Sequence, residues 1–391
     1  MYLLFWTSFA ILFYTYFGYG IILFVYLRWI RREEYDPESY KDLESLPELS
    51  LLIAAYNEGD FLVEKIENSF KLQYPKDKLR IYFVTDGSDD HSLEILAKYP
   101  EITVFHEAER RGKMAAIDRV IPQIKTPITV LSDANSLLNP GALLQLVDHF
   151  ADPKIGAVAG EKKIREESFG DATAGEGFYW KYESKLKAWD AELYSVVGAA
   201  GELFALRTEL YEVLPPDTLI EDFVQSMGIA KRGYQVAYEA DAYAEEYSSA
   251  SIQDELKRKI RIATGGIQAV VRMKDLLNPF TYGVLTFQYV SHRVLRWTLA
   301  PLALIFLFIS NIFLALNSPF FLLLLDLQVL FYFLAALGYF LEKKKIRLKA
   351  LFVPYYFCVM NYAVFVGLFR YMKGSQSVLW EKANRKTLNK S

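Results

Sequence analysis

Val130-Leu131-Ser132-Asp133-Ala134-Asn135 decides how the chain reads. Apolar and small residues after Thr126-Pro127 predict a buried strand, and an acid stands at its carboxyl end. In an open α/β sheet, ligands bind outside the carboxyl ends of the strands. A carboxylate there can hold a hard cation, and the cation a diphosphate. Asn135, two residues on, points the same way if the chain stays extended. A turn or helix cap before Pro140 is the plainer reading. It loses ground because Leu79 to Val84 predicts a second strand with the same ending, Thr85-Asp86-Gly87-Ser88-Asp89-Asp90.

Around these two strands the pattern alternates. Leu49 to Ala55 is a continuous apolar run, as expected of a strand buried on both faces. Asn57-Glu58-Gly59 follows it, then a helical pattern to Leu72. A helix over Ser92 to Lys98, a strand over Ile102 to Phe105, a helix opened by Gly112-Lys113 and one over Gly141 to Phe150 continue the series. Strands alternating with helices of this length mean βαβ units and a mostly parallel sheet. The second half is less regular. Strands are expected at Ile155 to Ala159, Glu202 to Leu206 and Gln235 to Tyr238. Helices are expected at Phe169 to Trp189, at Asp222 to Lys231, and at Ile252 to Met273 with an interruption at Gly265-Gly266.

The chain has 391 residues, 52% hydrophobic and 16% aromatic yet 23% charged. That mixture predicts a soluble domain joined to membrane segments. A net charge of −3 gives no reason to expect nucleic acid. The one cysteine, Cys358, excludes a disulfide framework or a cysteine metal site, and the four histidines show no ligand spacing. Residues 1–27 are long and apolar enough to span a ~30 Å hydrocarbon core, and Arg28, Arg31 and Arg32 follow on what should be the cytoplasmic side. Residues 28–47 read as a linker, 48–275 as a cytoplasmic domain, 279–292 as an interfacial helix and 295–372 as a C-terminal membrane region. That region divides into spans at Leu295 to Leu316 and Phe320 to Leu341, with Asp326 inside the second, and a third stretch broken by Pro354 and Asn361. Residues 373–391 form a basic tail.

The order of motifs resembles that of the membrane-bound inverting glycosyltransferases of family 2, a group that includes the synthases of cellulose, hyaluronan and poly-N-acetylglucosamine. The resemblance covers Leu49 to Gln268. It implies a GT-A-like nucleotide-sugar-binding α/β domain with a mostly parallel sheet, plus transmembrane and interfacial helices. Ala54-Ala55-Tyr56-Asn57-Glu58 matches the turn that holds the nucleotide base, which assigns Ala55, Asn57 and Glu58 to the donor. Asp86 matches the acid that contacts base or ribose, and Lys113 of Arg111-Gly112-Lys113 the lysine that meets the donor phosphates. Asp133-Ala134-Asn135 matches the Asp-x-Asp metal motif with Asn in third place. The resemblance therefore implies Mg2+ or Mn2+ at Asp133, with Asn135 secondary.

Gly198-Ala199-Ala200-Gly201-Glu202 resembles the small-residue loop of the acceptor site. Ile220-Glu221-Asp222 resembles Thr-Glu-Asp, in which Asp222 falls on the general base and Glu221 beside the acceptor. Inverting transfer needs such a base, because the acceptor hydroxyl must lose a proton as it attacks. Arg258-Lys259-Ile260-Arg261-Ile262 falls where processive members carry Gln-x-x-Arg-Trp. Arg258 and Arg261 would face the diphosphate from one helix side. Ile262 replaces an aromatic acceptor platform, which puts long-chain synthesis in doubt. Trp380-Glu381-Lys382 is loosely similar to a gating loop that closes over the donor in some polysaccharide synthases.

The resemblance implies a nucleotide-sugar donor, UDP-linked, and a growing polysaccharide acceptor. It also implies a multi-pass inner-membrane location with the catalytic domain cytoplasmic. Two other readings stay open: single addition to a lipid-linked acceptor, and a non-catalytic membrane subunit of a polysaccharide export complex. Retention of Asp133 and Asp222 argues against the second.

Overall fold

A computed structural model describes residues 1–31, 40, 42–165, 173–247, 252–344 and 348–379. The chain divides into two compact units. One comprises residues 33–166, 190–254 and 377–391, the other residues 1–32, 167–189 and 255–376.

The first unit is built on an eight-stranded sheet: β1 (Leu49–Ala55), β2 (Leu79–Asp86), β3 (Thr103–Glu107), β4 (Ile128–Asp133), β5 (Ser136–Leu138), β6 (Ile155–Arg165), β7 (Leu203–Arg207) and β8 (Gln235–Tyr247). Their order is β3-β2-β1-β4-β7-β6-β8-β5. β3, β2, β1 and β4 run parallel. β7 is antiparallel to both its neighbours, while β6 and β8 pair in parallel. Every residue of β1 is buried, and successive side chains of a strand point to opposite faces. Leu49, Leu51 and Ile53 pack with Leu62 and Ile66 of the helix Gly59–Phe70 and with Leu143 and Leu146. Leu52 and Ala54 pack with Ala116, Ile117 and Val120 of the helix Lys113–Val120. Helices thus cover both faces, as the apolar run requires.

Three findings correct the sequence reading here. β5, only Ser-Leu-Leu, carries no strand pattern and exists because it pairs with β8. β6 and β8 run much further than their apolar cores, through Glu161-Lys162-Lys163 and Glu245-Glu246. A register shift at Gly160/Glu161 re-aims β6 partway along.

In the second unit, Leu12 packs with Ala300 and Ala303, and Phe5 with Leu314 and Phe321. The helix Leu299–Ala315 therefore runs antiparallel to the N-terminal helix, and Pro319–Lys343 starts beside Phe5. Among the described residues, Tyr2–Ile30, Pro319–Lys343 and Ala350–Lys373 are long and apolar enough to cross a membrane. A fourth crossing is added if Val284–Trp297 and Leu299–Ala315, bent by 54°, form one span. The helix expected to end near His292 instead continues to Trp297 and breaks at Thr298. Pro301 explains the position, since its ring excludes the carbonyl of the residue four back, Trp297.

Two expected interruptions are absent. Ile252–Arg272 is one helix through Gly265-Gly266, because Gly266 makes room for Trp297: a Cβ there would lie 2.4 Å from the indole. Lys349–Lys373 is also one helix. Pro354 stands near its start, and Asn361 turns its amide onto the Phe357 carbonyl, 2.9 Å, while accepting from Tyr16.

Candidate active site

The carboxyl ends of β1, β2 and β4 lie side by side, with Ala54 opposite Asp133 and Ala55 opposite Thr85. They open onto a cleft lined by Ala54, Ala55, Tyr56, Val84, Asp86, Arg110, Gly112, Lys113 and Ala116. The Arg110 guanidinium lies 3.6 Å over the Tyr56 ring and forms one wall.

Several predicted donor residues turn out to shape this cleft. Asp86 is buried and accepts from the Arg111 amide at 3.1 Å and the Gly112 amide at 2.6 Å, with Arg119 at 3.6 Å. Its carboxylate thus ties down the Arg-Gly-Lys turn that Gly112, at φ 99°, makes possible. Asn57, at φ 52°, donates to Asp89 at 2.7 Å and accepts from the Asp89 amide at 3.0 Å, linking the first two strand-end turns. Glu58 is buried and accepts from Asn135 Nδ2 at 3.4 Å.

The turn at Gly112 starts a helix with Lys113, whose Nζ reaches Asp133 Oδ1 at 2.6 Å and Glu221 Oε1 at 3.5 Å. Burial by itself pulls the Lys113 ammonium down, but Asp133 and Glu221 outweigh it and hold it protonated. Burial lifts Asp133 above the usual carboxylate range, Lys113 opposes that lift, and Glu202 adds to it. Asn135 Oδ1 is buried with no hydrogen-bond partner.

Opposite stands the loop before β7. Gly198, at φ 88°, has room for no side chain: a Cβ would meet the Phe223 ring at 2.2 Å. A Cβ on Gly201 would lie 3.4 Å from both Asp222 Oδ2 and Lys113 Nζ, so the loop faces the charged groups directly. Glu221 and Asp222 open the helix Glu221–Lys231. Burial, then repulsion from Glu221, pushes Asp222 up to about 7, with Lys113 pulling the other way. A carboxyl group with a pKa near neutrality suits proton abstraction.

The structure thus gathers Asp133, Lys113, Gly201, Glu221 and Asp222. The Glu202 carboxylate pairs with Lys162, which also holds Glu246. Arg258, Arg261 and Ile262 stand on the helix Ile252–Arg272 of the other unit, where Arg258 is bonded to Glu255 at 3.1 Å. Trp380 lies outside the described residues.

Sequence reasoning missed Lys65 and Lys162. Lys65 is fully buried, and its Nζ donates to Ser132 Oγ at 2.8 Å and to the Ser136 carbonyl at 2.6 Å. Burial pushes its ammonium down to about 7, against the pull of Asp133 and Glu246. A signal existed: Lys65 falls in the apolar stripe Leu62, Ile66, Ser69 of its helix.

The family model described as Glycosyltransferase like family 2 matches residues 47–265. Poly-beta-1,6-N-acetyl-D-glucosamine synthase from Staphylococcus aureus strain MSSA476 is 27% identical over 266 residues, which is 65% of this chain and 63% of that protein. Beta-monoglucosyldiacylglycerol synthase from Trichormus variabilis is 30% identical over 168 residues, 41% of this chain and 34% of that protein. Among solved structures, a mannosyltransferase from Pyrobaculum calidifontis in complex with GDP-Man and Mn2+ superposes with a TM-score of 0.72 at 22% identity, covering 95% of this chain and 100% of that one.

Proposed function

The chain belongs to glycosyltransferase family 2, is related to polysaccharide synthases and has helices fit to span a membrane; from these premises we propose that it transfers a sugar from a UDP-linked donor to a growing polysaccharide with inversion. One observation carries this reading: Lys113 stands between Asp133 and the Glu221-Asp222 pair at the mouth of the cleft. The cleft beside Tyr56 and Asp86 takes the nucleotide. Lys113 leaves Asp133 for the donor phosphates. Asp222 takes the proton of the acceptor hydroxyl as it attacks, and the loop Gly198 to Glu202 lies along the acceptor. The motif resemblance assigns Arg258 and Arg261 to the diphosphate and Ile262 to the acceptor.

The donor set at the end of β4 fits Mg2+ or Mn2+. Asp133 and Asn135 offer oxygens, the atoms a hard cation takes, and Asn135 Oδ1 is a buried acceptor such an ion would satisfy. Among the described residues, no three His, Cys, Asp or Glu side chains form a cage of their own. Such an ion would share its coordination with the diphosphate, whose developing charge it would neutralise.

Incubation of the membrane protein with a panel of labelled UDP-sugars and Mn2+ tests the reading: incorporation into long product is expected, and no transfer from any donor overturns it. A product one sugar long would instead favour addition to a lipid-linked acceptor, the alternative that Ile262 in place of an aromatic platform supports. The rate should also depend on pH. With Asp222 near 7, a required base is lost by protonation, so kcat/KM falls about tenfold per unit below neutrality and levels off above it. A rate flat across the neutral range removes Asp222 from this role.

A cytoplasmic catalytic domain and tail complete the proposal. Arg28 and Arg31 after the first span favour that orientation. For the tail, support comes from Leu379 Cδ2 and the Val378 carbonyl, each 4.0 Å from where a Cβ on Gly112 would stand. Val378 and Leu379 thus lie by the donor turn, which supports the gating role proposed for Trp380, itself outside the described residues. Since Phe5, Leu314 and Phe321 cluster, Pro319–Lys343 starts at the outer end of the first span and returns inward. A cytoplasmic tail then requires that Lys349–Lys373, though long and apolar enough to cross, lie along the membrane rather than through it; its Gly367 packs against Ala263 and Thr264 of the helix Ile252–Arg272. A cysteine at position 391 in a Cys358→Ala background should escape an impermeant thiol reagent in intact cells. Labelling before permeabilisation would place the tail outside.

A further inference from the structure

The helix Gly59–Phe70 and its N-cap Glu58 hold the turn between β4 and β5 at three points. At its start, Glu58 accepts from Asn135 Nδ2 at 3.4 Å. At its far end, Asn68 donates to the Leu138 carbonyl at 2.8 Å and accepts from the Leu138 amide at 2.9 Å. Between them Lys65, three residues before Asn68 and so on the same helix face, donates to Ser132 Oγ at 2.8 Å and to the Ser136 carbonyl at 2.6 Å. These two acceptors flank Asp133-Ala134-Asn135 on either side. Ser132 Oγ also donates to the Glu202 carbonyl at 3.1 Å, and Ser136 Oγ to the Asp133 carbonyl at 2.9 Å. The turn thus rests on Lys65 from beneath, while Lys113 meets Asp133 from the cleft side.

A fully buried ammonium is expensive, and an apolar side chain would pack against this helix face more cheaply. What an apolar side chain cannot do is bridge the end of one strand to the start of the next. We infer that Lys65 is a positioning residue of the transfer site, which ties β4 to β5 and so fixes the turn from which Asp133 and Asn135 meet the donor diphosphate and its cation. The inference rests on the function proposed above. It gives the two lysines separate tasks: Lys113 moves to the phosphates, and Lys65 keeps the turn in place when it does.

Lys65→Met keeps length and removes both bonds. Calorimetric titration of UDP with and without Mn2+ is run on parent and variant, beside kcat at saturating donor and thermal melting. Loss of an outer-shell partner typically costs about 10–100-fold in metal affinity, so the Mn2+-dependent part of UDP binding should weaken by that factor. A role confined to holding the fold together would shift the melting point or the active fraction and leave the affinity of the folded fraction unchanged. Were Lys65 acting by charge alone, its removal would tighten cation binding instead. Mn2+-dependent affinity that is unchanged or tighter therefore overturns the inference. Should Lys65→Met not accumulate, Ser132→Ala decides the matter. It removes one of the two acceptors and keeps every charge, and unaltered Mn2+-dependent UDP affinity in that variant counts against Lys65 equally. Failure of the parent itself to bind UDP would sink the functional reading rather than the role of Lys65.

Discussion

Asp222→Asn is expected to bind UDP as the parent does and to transfer sugar about 10²–10⁴-fold more slowly, the usual contribution of a positioned base. The side chain is half-buried, at the second residue of its helix, with Oδ2 3.4 Å from the position of a Cβ on Gly201 in the loop it faces. Asparagine keeps the shape and gives up the proton acceptor. It also removes the repulsion between Asp222 and Glu221 that helps raise the pKa to about 7, so the variant should fold at least as well as the parent. The acid limb of the pH profile should vanish with the residue. Initial rates at saturating donor, beside calorimetric UDP binding, are the measurements. A variant that keeps most of its turnover would show that the proton leaves by another route.

Asp133→Ala is expected to abolish the gain in UDP affinity that divalent metal brings. Asp133 is the sole carboxylate of its motif, with Asn135 offering only an amide oxygen. The loss should exceed the roughly 10–100-fold that removal of an outer-shell partner costs. Without metal the sign differs. Lys113 is drawn to Asp133 at 2.6 Å; without that partner the nearer competitor of phosphate is gone, the longer pair with Glu221, 3.5 Å, remains, and metal-free UDP binding should hold or tighten. Asn135→Asp should preserve or strengthen the dependence on metal. Equal losses for Asp133→Ala with and without metal would contradict a ligand role.

Much of this was legible along the chain. Leu49-Ser50-Leu51-Leu52-Ile53 could only be a strand covered on both faces, and all of it is buried. Acids at strand ends in a parallel sheet converge on one edge whatever the loops do, so the neighbourhood of Asp86 and Asp133 followed from local pattern. The resemblance in motif order assigned Lys113, Gly201, Glu221 and Asp222 to one site, and the fold brings them together.

What the pattern left undecided were roles that depend on partners distant in sequence. The sequence assigned Asp86 to the nucleotide by resemblance; that its oxygens also hold the amides of Arg111 and Gly112 was visible only in the fold. Gly265-Gly266 read as a helix break, yet Gly266 is small because Trp297 lies against it. Glu161-Lys162-Lys163 and Glu245-Glu246 lie beyond the apolar runs, yet they extend β6 and β8, and Glu161, Lys162 and Glu246 are buried. There Lys162 finds Glu202 and Glu246. A charged side chain in a strand is solvated or buried according to whether an opposite charge arrives from another strand, and no local window contains that strand. By itself, then, the sequence determined the strands, their active edge and the acids upon it, because hydrophobic periodicity and strand ends are local properties. Only the tertiary structure decided which charges hold the turns that shape the cleft, Lys65 from behind it and Asp86 from its wall, because burial and pairing are settled between elements that meet only in the fold.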